Sequence, residues 1–112
     1  MEYILLEETP FETLYRDLAW RAFQYFLCNQ EILNDEKYEN VYNELLKYFI
    51  QRRKAQFNLS YIDVAQMKNL AKMEYYCFVH NKNFTKEKID DFVKNYNLYK
   101  NLLVIRPKKP LD

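Results

Sequence analysis

Few side chains in this 112-residue chain have the chemistry of catalytic or metal-binding groups. His80 is the only histidine, and Cys28 and Cys77 are the only cysteines. Cys77 and His80 could share one helix face at the i, i+3 spacing, but no orienting third group or oxyanion site accompanies them. The separations of the three residues match no known zinc-binding spacing. The sequence therefore predicts no catalytic residue, no metal site, no cofactor and no enzymatic activity.

The absence of glycine excludes several kinds of nucleotide-binding and catalytic site. Phosphate-binding loops, dinucleotide fingerprints and nucleophile elbows all need backbone that a Cβ atom would obstruct. The favoured two-residue β-hairpin turns also place residues at positive φ, where glycine fits best. The composition therefore favours a helical binding protein over an enzyme.

Four stretches of the chain show the apolar periodicity of amphipathic helices. The predicted helices cover about residues 10–27, 35–54, 61–79 and 86–95, and the fourth fades between 95 and 101. The residues expected to cap them are Thr9, Asn34 or Asp35, Ser60 and Thr85. The prediction is a single all-α domain over residues 1–112, a compact bundle of about four helices.

The predicted buried faces follow from the same spacing. The first helix is expected to bury Phe11, Leu14, Tyr15, Leu18, Ala19, Ala22, Phe23, Phe26 and Leu27. The third helix is expected to bury Val64, Met67, Leu70, Ala71, Cys77 and Phe78. Two further apolar runs, residues 3–6 and 102–105, are expected to form short extended segments at the ends of the bundle.

The sequence shows no basic leader with an apolar core and no apolar run of about 18 residues. We therefore expect a cytoplasmic protein with reduced thiols and no membrane contact. Residue types with A/T-rich codons greatly outnumber those with G/C-rich codons. This bias is typical of many low-GC bacteria, phages and mobile elements, whose accessory proteins are often small and non-catalytic.

The net charge of +1 conceals a polarised chain. Residues 1–50 contain ten acidic and four basic residues, whereas residues 51–112 contain six acidic and thirteen basic residues. The second half could present a basic surface to nucleic acid or to an acidic protein, or the two halves could neutralise each other. The candidate basic residues are Arg52, Arg53, Lys54, Lys68, Lys72, Lys82, Lys86 and Lys88.

The first two predicted helices carry a specific pattern of apolar, aromatic and acidic residues. In chain order its members are Leu14, Leu18, Phe23, Tyr25, Leu33, Asp35, Tyr38, Glu39, Glu44 and Leu45. Over about residues 11–50, this pattern resembles the N-terminal helical (Ia) domain of NAD-dependent DNA ligases. The pattern departs from the family at Phe26, where the ligases have His or Tyr, and at Glu31, where they have proline.

In those ligases, two tyrosines and acidic residues hold the nicotinamide mononucleotide half of NAD. The resemblance implies that Tyr25 and Tyr38 would stack on the cationic pyridine ring. It also implies that Asp35 would orient the ribose or the nicotinamide, with Glu39 in place of an aspartate. Nothing after Arg53 resembles the adenylation domain, so ligation is not expected. The same side chains could instead be a helix cap and the core aromatics of a helical hairpin.

Eleven tyrosines are more than a core of this size needs. Several aromatic residues lie off the predicted apolar faces, and aromatic side chains of this kind are favoured at protein interfaces. The candidate interface residues are Trp20, Tyr48, Tyr76 and Tyr99. Alternatively, the terminal segments or a second copy could cover them, so a homodimer is also compatible with the sequence.

These observations lead to one prediction of function and two alternatives. The leading prediction is a non-enzymatic protein of a phage or mobile element that docks on a host protein and inhibits or modulates it, for example a defence nuclease. One alternative is a stand-alone hairpin that binds nicotinamide mononucleotide or NAD. The other is a basic nucleic-acid-binding module that uses residues 51–112.

Overall fold

The computed structural model describes residues 10–78 and 85–105, with side chains up to residue 101. The described residues form α-helices and one short 3-10 helix, with no strand among them, which confirms the predicted all-α class. The elements are α1 (Pro10–Cys28), the 3-10 helix (Gln30–Asn34), α2 (Glu36–Phe57), α3 (Val64–Phe78), α4 (Lys86–Lys94) and α5 (Tyr96–Ile105).

Three of the helices begin at capping side chains. Asp35 accepts a hydrogen bond from the backbone N–H of Lys37 and starts α2, and Thr85 accepts one from the N–H of Lys88 and starts α4. Both caps are as predicted. The cap of α3 is Asp63, whose carboxylate accepts from the N–H of Gln66, so the predicted cap at Ser60 is wrong. Asp63 lies directly before the helix, where its short carboxylate reaches the unpaired N–H groups of the first turn.

The end of α2 shows how a helix stops in a chain without glycine. Asn58 takes the left-handed conformation, with φ of 54° and ψ of 49°. The N–H of the next residue, Leu59, then reaches back to the carbonyl of Lys54 at 2.9 Å. Asparagine tolerates the left-handed conformation better than most residues, so Asn58 can end α2 directly after Phe57.

The predicted fourth helix is two helices in the structure. Asn95 separates α4 from α5, and its side-chain N–H donates to the carbonyl of Asp91 at 3.0 Å. Residues 102–105 belong to α5, so the predicted extended C-terminal segment is wrong. Leucine is a good helix former and no proline lies between Asn95 and Pro107, so nothing local ends the helix before residue 105. The predicted extended run at residues 3–6 lies outside the described residues.

The core is built around α1, which packs against α2, α3, α4 and α5. Most of its predicted face is buried, including Ala19, Phe23 and Phe26. Two residues of that face, Phe11 and Leu14, are exposed instead. They lie in the first turns of α1, where the described helices leave them uncovered. The other helices contribute Val41, Leu45, Phe49, Met67, Ala71, Ile89, Phe92 and Tyr96 to the core.

Candidate functional site

One side of α3 is the most unusual surface of the described residues. Met67 and Ala71 are buried and attach the helix to its main packing partner, α1. The residues that point away from α1 are all uncharged, although 29% of the chain is charged. The exposed residues of α3 are Ala65, Gln66, Asn69, Leu70, Met73, Tyr76, Cys77 and Phe78.

Large apolar side chains concentrate on this helix and on the segment before it. Among the residues whose side chains are described, seven of the ten exposed large hydrophobic residues lie between positions 57 and 78. They are Phe57, Leu59, Tyr61, Leu70, Met73, Tyr76 and Phe78, and we call them the α3 surface. Scattered exposed hydrophobic residues are normal on a protein, but a concentration on one segment is typical of an interaction site.

The charged residues of α3 are half-buried and turned towards the rest of the fold. Glu74 accepts hydrogen bonds from the indole N–H of Trp20 at 2.8 Å and from the amide of Gln24 at 3.1 Å. Lys68 places its ammonium group 5.9 Å from the centre of the Tyr42 ring. Glu74 therefore contacts α1 and Lys68 lies near α2, and none of the exposed residues of α3 is charged.

Tyr76 links this surface to the end of α1. Tyr76 is 66% exposed, and its interaction with the Cys28 thiol raises the pKa of Tyr76. Burial raises the pKa of Cys28, so its thiol is largely protonated at neutral pH. Cys77, the next residue on α3, is an exposed free thiol.

The four predicted interface aromatics are therefore not equivalent. Trp20 packs between Phe23 and Phe49, with ring centres 5.6 and 5.0 Å away. Tyr48 and Tyr99 are also half-buried and pack against the core. The structure accounts for these three residues by core packing and leaves only Tyr76 as a strongly exposed interface candidate.

Sequence reasoning assigned part of the α3 surface to the wrong side of the helix. Leu70, Cys77 and Phe78 were expected in the core but are exposed, and Met73 belonged to neither prediction. The sequence did indicate a second apolar side, because apolar residues occur on two sides of α3. One set contains Met67 and Ala71, and the other contains Leu70 and Met73. Periodicity identifies both sets, but it does not say which one meets α1.

The tyrosines implied by the ligase resemblance lie near one pair of charges. The Tyr38 hydroxyl donates to Asp90 at 2.8 Å, and Asp90 also accepts from the Lys86 ammonium at 2.8 Å. Burial alone would raise the pKa of Asp90, but the hydrogen bonds from Lys86 and Tyr38 lower it below its usual value. Lys86 and Asp90 also influence the pKa of Tyr25, which burial raises. Tyr25 and Tyr38 therefore share one electrostatic environment.

The remaining residues of that predicted ligand set have separate positions. Asp35 uses its carboxylate to cap α2, and Glu39 is exposed in the first turn of the same helix. Tyr38 also packs edge-on against the ring of Phe26. Each of these contacts fits the alternative interpretation of a helix cap and core aromatics in a helical hairpin.

A groove of about 650 Å³ runs between α2 and the α4–α5 pair. Its lining residues are Lys37, Tyr38, Asn40, Val41, Glu44, Asp90, Val93, Lys94, Tyr96, Asn97 and Lys100. Both of its carboxylates are paired, because Asp90 contacts Lys86 and Glu44 contacts Lys100 at 3.3 Å. The groove therefore presents mixed, partly neutralised charge and no uncompensated acid.

Several predicted basic residues have partners inside the fold. Arg52 forms an ion pair with Glu12 at 3.1 Å, and the Arg53 guanidinium lies 5.7 Å from the Trp20 ring. Lys86 is paired with Asp90, as described above. The Glu12–Arg52 and Glu44–Lys100 pairs join the acidic half of the chain to the basic half, as the neutralisation alternative predicts.

The other basic residues differ in exposure. Lys54 and Lys72 are half-buried, and Lys88 is exposed at the start of α4. Lys82 lies outside the described residues, as does His80.

Two features are absent from residues 10–78 and 85–105. No group of three His, Cys, Asp or Glu side chains gathers there in a way that could hold a metal ion. No helix in these ranges is both long enough and apolar enough to cross a bilayer.

Comparisons of the chain with protein families, with curated proteins and with solved structures found no match.

Proposed function

We propose that this protein is a non-catalytic helical protein that binds a protein partner through the α3 surface. The observation that carries the proposal is that every exposed residue of α3 is uncharged, while seven large hydrophobic side chains are exposed between positions 57 and 78. Each Å² of apolar area that a partner covers contributes about 25 cal/mol, so such a surface favours association.

The character of the surface favours a protein partner over nucleic acid. Binding to nucleic acid depends on Lys and Arg side chains that neutralise phosphates, and none of the exposed residues of α3 is Lys or Arg. Tyrosine, phenylalanine and methionine, which dominate this surface, are enriched at protein interfaces. On α4, by contrast, all of the exposed residues from Lys86 to Lys94 are charged.

Two positions provide a matched test of this proposal. Met73 on the α3 surface and Leu98 on α5 are both 65% exposed, so a glutamate at either position remains in solvent in the free protein. We expect the Met73→Glu protein to lose a stoichiometric partner on affinity capture, because binding would bury the new carboxylate. The Leu98→Glu protein should keep that partner. If Met73→Glu has no effect, or if both variants lose the partner equally, the proposal is wrong.

The origin of the protein guides the choice of lysate for this experiment. We propose a phage or mobile-element origin, supported by the A/T-rich codon bias expected from the composition. Proteins of the host cytoplasm are therefore the partners to test first. In dilute solution, both variants should keep the thermal midpoint of the parent protein within a few degrees, because changes at exposed positions alter stability by only about 0.5 kcal/mol.

A further inference from the structure

We infer that the partner on the α3 surface is a second copy of this chain, paired with its own α3 in antiparallel orientation across a two-fold axis. This inference rests on the proposed docking function of the same surface. Three properties of the described residues support it: the charge of the surface, its area, and the order of its side chains along the helix.

The charge of the surface permits contact with itself. A two-fold interface places the same patch on both sides, so any net charge in the patch would face its own copy and repel it. None of the exposed residues of α3 is charged. Self-contact therefore brings no like charges together at the centre of the interface, where burial of unpaired charge is most costly.

The area of the surface is the area that a specific dimer uses. A fully exposed large side chain presents about 200 Å², so the exposed fractions of these seven side chains amount to roughly 800 Å². A standard protein interface buries about 800 Å² on each partner. An interface in which the partner covers all seven side chains therefore reaches the size of a standard interface.

The spacing of the outward side chains is the same in both directions along the helix. Gln66, Leu70, Met73 and Cys77 form the outward stripe, with separations of four, three and four residues. This order is palindromic in spacing, so two antiparallel copies can align in a single register. In that register Leu70 packs against the partner subunit's Met73, and Gln66 lies against the partner subunit's Cys77. Antiparallel pairing also sets the opposite ends of the two helix dipoles side by side.

The first test is the oligomeric state of the purified full-length chain, measured by sedimentation over a wide range of concentration. We expect the parent protein and the Leu98→Glu control to be dimers and the Met73→Glu protein to be a monomer of unchanged helix content. A parent protein that stays monomeric at the highest concentration overturns the inference. A dimer that survives Met73→Glu also overturns it.

The second test determines the orientation by disulfide trapping. Both native cysteines are first replaced by serine, and this background must still form the dimer. Chains with Leu70→Cys and chains with Met73→Cys are then oxidised separately and as a mixture. The antiparallel register predicts rapid cross-linking in the mixture, between position 70 of one copy and position 73 of the other. Faster cross-linking of each chain with itself would indicate parallel helices and contradict the proposed orientation.

The two experiments distinguish failure of this inference from failure of the proposed function. If the purified protein is a monomer, but only Met73→Glu abolishes capture of a cellular protein, the surface docks a different partner and the inference alone is wrong. If Met73→Glu changes neither the oligomeric state nor the capture, both are wrong.

Discussion

Two tyrosine hydroxyls lie against each other inside the bundle. The hydroxyls of Tyr15 and Tyr96 are 3.2 Å apart, and both side chains are buried among aromatic rings. Burial raises the pKa of both phenols, and the contact between the hydroxyls raises that of Tyr15 further. Both groups must therefore remain protonated for the fold to persist, which connects one pair of atoms to the stability of the whole core.

This pair predicts a loss of stability at alkaline pH. In the unfolded chain tyrosine ionises near pH 10, whereas Tyr15 and Tyr96 in the fold ionise only at higher pH. Their contribution is therefore fully present below about pH 10 and declines as the pH rises above it. Urea unfolding from pH 8 to pH 11 should show this decline, and Tyr15→Phe should make the curve shallower. A curve of unchanged slope in Tyr15→Phe would mean that Tyr15 ionises as easily in the fold as outside it.

At the scale of elements, α3 is the helix that has apolar residues on both its packed side and its exposed side. One side meets α1 through Met67 and Ala71, and the other carries Leu70 and Met73 into solvent. The half-buried charges of Lys68, Lys72 and Glu74 lie between the two sides. A helix of this kind is anchored to the fold by one side and available for contact on the other.

Two methionines on α3 provide a direct test of this assignment. Met67 is 4% exposed and Met73 is 65% exposed. Met67→Ala should lower the free energy of unfolding by about 2–4 kcal/mol, because it removes buried methylene groups and leaves a cavity. Met73→Ala should change it by less than about 0.5 kcal/mol. The measurement is urea unfolding of dilute protein, so that self-association does not contribute, and equal effects would contradict the assignment of the two sides.

At the scale of the whole molecule, α1 is the central helix and α3 is peripheral. The other helices surround α1, and ion pairs join the acidic first half of the chain to its basic second half. The exposed Glu44–Lys100 pair contributes little to stability, and the largely buried Glu12–Arg52 pair must offset its own desolvation, so the aromatic core around α1 holds the fold together. Two ion pairs neutralise charges across the fold. The apolar α3 surface is therefore the feature that we propose for binding.

Self-association through that surface predicts that stability depends on protein concentration. When unfolding requires dissociation, mass action raises the midpoint of thermal unfolding as the protein becomes more concentrated. For a dimer of this size we expect a rise of about 3 °C for each tenfold increase. Calorimetry of the parent and Leu98→Glu proteins should show this rise, and Met73→Glu should not. A midpoint that is independent of concentration in all three proteins would argue against a dimer that is coupled to folding.

The sequence by itself determined the features that depend on neighbouring residues. The helical class, the cap at Thr85, a cap of α2 at Asn34 or Asp35, and the buried apolar residues of α1 from Tyr15 onward follow from local propensity, hydrogen-bonding geometry and apolar spacing. Such features are local, so they can be recognised without knowing which helices meet. The continuation of α5 through residues 102–105 was missed because a short apolar run fits a strand and a helix equally well.

Only the tertiary structure decided the features that depend on which surfaces meet. It placed Trp20, Tyr48 and Tyr99 against the core and left Tyr76 exposed. It also determined which of the two apolar sides of α3 packs on α1, and so created the surface that we propose as the docking site. The physical reason is that spacing along one helix defines its apolar sides, whereas the shape and charge of the neighbouring helices select the side that is buried.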